Sequence, residues 1–118
     1  MNPVTFTGQA PDNTPRPLVM ARLWIDADKL VVCAIGNDPH KLALIQLNED
    51  KFLPQLRQLL QGKTPKIIVA SEGKINFIVE NLGPHFCASI SRTPQHDENT
   101  QLIINQDHFI QGLKLLFP

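Results

Sequence analysis

Disulfides, blocks of like charge, long apolar runs and abundant aromatic rings are all missing from this 118-residue sequence. Each absence excludes something. The two cysteines, Cys33 and Cys87, are too few for a disulfide scaffold. Both lie in apolar runs, so they read as small core residues of a protein kept in a reducing, cytoplasmic setting. Eleven basic residues balance eleven acidic ones, for a net charge of zero. Bulk charge therefore cannot draw this chain to a polyanion, and any such binding needs a local patch. No apolar run approaches the ~20 residues that cross a bilayer. The first twenty residues have neither a basic n-region nor an apolar h-region, so no signal peptide and no membrane partner are expected.

Chemical motifs are missing too. The cysteines and the histidines His40, His85, His96 and His108 form no C-x-x-C, H-x-x-x-H or H-E-x-x-H spacing, which argues against a metal site. Ser71 precedes Glu72-Gly73 and makes no G-x-S-x-G elbow. Gly73, Gly83 and Gly112 make no phosphate-cradling loop. His96-Asp97-Glu98 could serve as a proton relay or metal ligand set, but a polar loop of this kind is usually solvated. The expectation is a non-enzyme with no catalytic residue, no metal and no cofactor.

What is present suits one ordinary domain, since 42% of the residues are hydrophobic. Residues 1–17 carry Pro3, Pro11, Pro15 and Pro17 and read as a Pro-rich arm with a short edge strand at Val4–Gly8. Residues 18–118 form the domain. Leu18–Asp26 alternates from Met20, with Ala21, Leu23 and Ile25 on the face expected to pack on the helices and Arg22, Trp24 and Asp26 on the outer one. Further strands are expected over Lys29–Gly36 and Lys41–Leu47, with turns at Asp26-Ala27-Asp28 and Asn37-Asp38-Pro39-His40. Asn48 caps a helix bearing Phe52, Leu53, Leu56, Leu59 and Leu60 at helical spacing. Pro54 argues for a helix start later than Asn48, and Gly62 is its stop. Strands at Lys66–Ala70, Lys74–Glu80, His85–Arg92 and Thr100–Ile104 follow, then a helix over Gln106–Phe117.

The two strand-to-helix junctions align without gaps at an offset of 57, since 105 − 48 = 57. NEDKFLPQLRQLL matches NQDHFIQGLKLLF at Asn48/Asn105, Asp50/Asp107, Phe52/Phe109, Leu56/Leu113 and Leu59/Leu116. A shared binary pattern explains the leucines, but less well the shared Asn-x-Asp-x-Phe. The expected fold is therefore α+β, with two ββββα units (about 4–62 and 63–118), each with an antiparallel sheet and one helix, related by a pseudo-twofold axis. In this, and in the runs Leu44–Phe52 and Leu102–Phe109, the chain resembles the Whirly, PUR-repeat and transcriptional positive-cofactor group. That resemblance implies binding of single-stranded DNA or RNA on an exposed sheet face.

On the residues themselves, Arg22 and Trp24 supply a cation for phosphate and a ring for a base on one strand, with Lys66, Lys74 and Asn76 on neighbouring strands. Trp24 alone reads better as a core-rim or dimer-seam residue. The competing expectation is a protein-interaction module, homodimeric or bound to another protein through exposed strands such as Leu42–Leu47. A positive sheet face points to nucleic acid, and a contiguous apolar one to a protein partner.

Overall fold

The computed structural model describes residues 3–25, 27–36 and 42–118. Its elements run β1 (Val4–Gln9), β2 (Pro15–Ile25), β3 (Asp28–Ile35), β4 (Ala43–Asn48), α1 (Glu49–Leu60), β5 (Lys66–Ala70), β6 (Asn76–Asn81), β7 (His85–Ser91), β8 (Leu102–Asn105) and α2 (Gln106–Leu116). The Asn37–His40 turn, Lys41 and Asp26 lie outside the described residues.

All eight strands join one antiparallel sheet, ordered β4-β3-β2-β1-β8-β7-β6-β5 and curled into a nearly closed barrel. This overturns the expected α+β arrangement of two ββββα units with separate sheets. There are no two sheets for a pseudo-twofold axis to relate. The reason lies in β1, expected at an edge but paired on both sides. It pairs with β2 along its length, Val4 opposite Met20 and Gln9 opposite Pro15, and it meets β8 at Gln9 and Ile103. An unpaired strand edge is satisfied by the next strand that can reach it. Gly8 makes this reach possible, because a Cβ there would collide with the Ile103 carbonyl oxygen. The matching junctions at residues 48 and 105 are thus a local likeness, a capping Asn ahead of an amphipathic helix.

Both caps form. Asn48 Oδ1 accepts from the Asp50 N–H at 2.9 Å, and Asn105 Oδ1 accepts from those of Asp107 and His108 at 3.0 and 3.3 Å. The α1 helix begins directly after Asn48 and carries Pro54 within it on the exposed side, instead of starting later. One absent N–H is tolerated in a helix held by its buried Phe52, Leu56 and Leu59. Gly62, at φ 73°, ends it as expected.

The helices cover the concave face of the sheet, α1 against β3, β4 and β5, and α2 against β1, β7 and β8. Between them and the sheet, Phe109 lies 5.2 Å from Phe6 and 4.9 Å from Phe86, while Phe52 lies 5.9 Å from Phe77 and 6.1 Å from Phe117, centroid to centroid. Such ring pairs add to area burial by ~0.5–1.5 kcal/mol each. Gly112 faces Phe6 with no room for a Cβ, which brings α2 close to β1.

The joint between β1 and β8 gives a direct test. Gly8→Ala should lower unfolding stability by about 1–3 kcal/mol in denaturant titration, through crowding against backbone. It should also speed amide exchange around Ile103. Unchanged stability and exchange would contradict the role given to Gly8.

Candidate functional site

Pairing register decides which side each expected site residue occupies. In β2 the buried Leu18 and Met20 set the parity, so Arg22 and Trp24 share the helix-facing side with them. This corrects the expectation that Arg22 and Trp24 face outward while Ala21, Leu23 and Ile25 face the core. The strand outruns the core, and its polar residues stand at the barrel's end. There an Arg22 Nη donates to Glu49 Oε1 at 2.9 Å. The guanidinium lies 4.9 Å from the Trp24 ring and 5.8 Å from that of Phe117, and Lys29 Nζ lies 5.3 Å from Trp24. Trp24 is 47% exposed, a rim residue between two cations.

The other three residues lie elsewhere. Lys66 sits on the outer side of β5, opposite Glu80, and Asn76 on the outer side of β6, opposite Ser91. Lys74 is in the β5–β6 turn at φ 62°. The structure therefore does not gather Arg22, Trp24, Lys66, Lys74 and Asn76 on one surface. They divide between the two sides of the sheet.

The outer surface itself is divided. Over β6 and β7 the segment from 92 to 100 folds back across the sheet, and Ile78, Cys87, Ser89 and Ser91 beneath it are buried. His96 fastens that segment. Its Nδ1 lies 2.7 Å from Ser89 Oγ and its Nε2 lies 3.2 Å from Glu80 Oε1. Thr100 Oγ1 accepts from the Ile90 N–H at 3.1 Å and donates to the Ile90 carbonyl at 2.6 Å. Burial pushes the His96 pKa below its ordinary value, outweighing the opposing pull of Glu80. The neutral ring then donates from Nε2 to Glu80 and accepts the Ser89 hydroxyl at Nδ1. A serine, histidine and carboxylate in one hydrogen-bonded chain resemble a nucleophile with its base. Ser89 is 0% exposed, however, beneath the segment that this chain fastens. Gln101 Nε2 donates to Cys87 Sγ at 3.0 Å, and burial pushes both thiols up, away from the reactive thiolate.

Sequence reasoning placed His96 in a solvated loop. The signal it passed over is the run Cys87, Ser89, Ser91, which alternates with the buried Phe86, Ala88 and Ile90. Small residues at three successive outward positions of a strand leave room for a covering segment. Among the described residues no three His, Cys, Asp or Glu side chains converge to hold a metal.

Over β2, β3 and β4 the outer side is more open, although Ala34 there is buried and Leu44 lines a groove with the 92–100 segment. Outward there point Val19, Ala21, Leu23 and Ile25, then Leu30, Val32 and Ala34, then Leu44 and Gln46. Leu23, Ile25 and Leu44 are 40%, 54% and 53% exposed. Gln46 and, by register, Asn48 are the polar residues on this side, and none of the described side chains is charged. This apolar face was legible as the Ala21-Leu23-Ile25 alternation, but was assigned to the wrong side.

No family model, curated protein or solved structure matches the chain. The likeness to the Whirly and PUR-repeat group rests on the residue pattern alone.

The His96 chain predicts a pH dependence. The ring titrates near 6.5 when unfolded and lower when folded. Its contribution is therefore complete above that pH and is lost as pH falls from there through the folded value. The unfolding midpoint should drop between pH 7 and 5, and His96→Gln should flatten that drop. An equally steep drop in the variant would refute the assignment.

Proposed function

We propose that the protein is a non-enzymatic interaction module that associates with a second copy of itself through the bare apolar face of β2, β3 and β4. The observation that carries this is the pair of unlike outer surfaces. One half of the sheet is covered by the chain's own 92–100 segment, whereas the other leaves Leu23, Ile25 and Leu44 in water. A contiguous apolar sheet face is stabilised by a second apolar layer about 10 Å away, as in sheet-on-sheet packing. The described side chains of this face carry no charge, so they offer no opposite charge to steer a distinct partner. It also brings no like charges together when placed against itself about a twofold axis. Packing of this kind supports association in roughly the micromolar range or tighter.

Sedimentation velocity tests this directly. Wild type should shift from monomer to dimer with rising concentration, and Leu23→Lys with Leu44→Lys should remain monomeric with an unchanged circular dichroism spectrum. A wild type that stays monomeric at about 100 μM contradicts self-association.

A second reading, single-stranded DNA or RNA binding, is favoured by one observation. Trp24, the only tryptophan, stands half exposed between Arg22 and Lys29. This site is at the barrel's end, not on the sheet face, and Arg22 is already engaged by Glu49. On this reading an oligonucleotide at low salt quenches Trp24 fluorescence, the quench fades steeply with added salt, and Trp24→Ala weakens binding. An absence of quenching at low salt ends it.

A further inference from the structure

Between α1 and α2, on the side away from the sheet's outer surface, lies a cavity of about 300 Å³. This is the lower end of the ~300–1,000 Å³ that small-molecule sites occupy. Leu53 and Leu56 from α1, and Ile110, Leu113 and Phe117 from α2, form its apolar walls. The Arg22–Glu49 ion pair lines it as well, and Arg57 and Lys114 stand on its rims, one from each helix.

Two features need explanation. Arg57 and Lys114 make no ion pair among the described residues. Their positions near helix C-termini suit the helix dipoles, which accounts for their charge but not for what lies below them. There, Arg22 Nε and Glu49 Oε2 are buried without a hydrogen-bond partner among the described residues, and the Glu49 side chain is only 7% exposed. Unpartnered buried donors and acceptors of this kind cost about 1–3 kcal/mol each unless something bonds them.

We propose that this inter-helix cavity binds a small amphipathic carboxylate, with its aliphatic or aromatic body between the helices and its anionic head toward Arg57 and Lys114. The charge balance calls for an anionic head. Among the lining side chains, three cations face one carboxylate, and Arg22 already neutralises that carboxylate. Arg57 and Lys114 are then left without a counter-ion, and a carboxylate head offsets one of these two charges. A singly charged head also brings less negative charge toward Glu49 than a dianionic phosphate would. A hydroxyl or amide on the body would both donate to Glu49 Oε2 and accept from Arg22 Nε, satisfying the two orphaned atoms.

Decanoate serves as the probe. Trp24 lies 4.9 Å from the Arg22 guanidinium, so its emission reports events at that end of the cavity. Decanoate should change Trp24 emission saturably and shift the methyl resonances of Leu53, Ile110 and Leu113. Decanol, without the charge, and acetate, without the body, should each bind at least about tenfold more weakly. Arg57→Gln with Lys114→Gln, both exposed and outside the core, should weaken decanoate by a similar factor while leaving the unfolding midpoint in place. Binding of 10-hydroxydecanoate tighter than decanoate would support the pairing with Arg22 Nε and Glu49 Oε2. The proposal is overturned if decanol matches decanoate, if the double variant binds normally, or if shifts centre on Leu23 and Leu44. Failure of dimerisation leaves this result untouched, because the cavity and the β2–β4 face share no residue.

Discussion

Where β1 passes β8, Gly8 runs against the Ile103 carbonyl with no space for a side chain, and this contact turns two four-stranded stretches into one eight-stranded sheet. Continuity has consequences at both ends. The sheet curls until β4 and β5 become its two free edges. The concave side must then be filled, and two helices fill it. The α1 helix reaches from β3 and β4 across to β5, and α2 lies over the central joint of β1 and β8. Four buried phenylalanines, Phe52, Phe77, Phe86 and Phe109, together with Phe6, make that filling continuous.

The polar end of this core is built from the same strands. β2 outruns the helices, so its last inward residues cannot be apolar and buried. They are Arg22 and Trp24, held by Glu49 at the start of α1 and by Phe117 just after α2. An arginine that spans a carboxylate and two rings fixes the helix ends relative to the sheet. It also leaves two polar atoms without a partner among the described residues, beside the cavity between the helices. A structural clamp and a candidate ligand site thus use one side chain.

Two outer surfaces of the same sheet meet different fates. Over β6 and β7 small polar residues admit a returning loop that His96 fastens to Ser89 and Glu80. Over β2, β3 and β4 branched apolar residues face outward, and Leu23, Ile25 and Leu44 among them are exposed. The contrast supports assigning the covered half to stability and the bare half to association.

Local chemistry was legible in advance because it acts within a few residues. The Asn48 cap and the like junction at Asn105, the stop at Gly62, most strand positions and the helical apolar stripes follow from hydrogen bonding and periodicity along the chain. Alternation in β2 was legible too, but it carries no label for which side is the core. Leu18 and Met20 settle that only through their partners Ile35 and Cys33 on β3. The same holds for the sheet as a whole. A strand-to-helix junction that occurs twice looks identical whether the halves form two sheets or one. The choice depends on which strand satisfies the outer edge of β1, and that partner, β8, lies more than ninety residues away in the chain. Sequence determined the elements because they are bonded locally, and tertiary structure decided their faces and joints because those depend on contacts between distant strands.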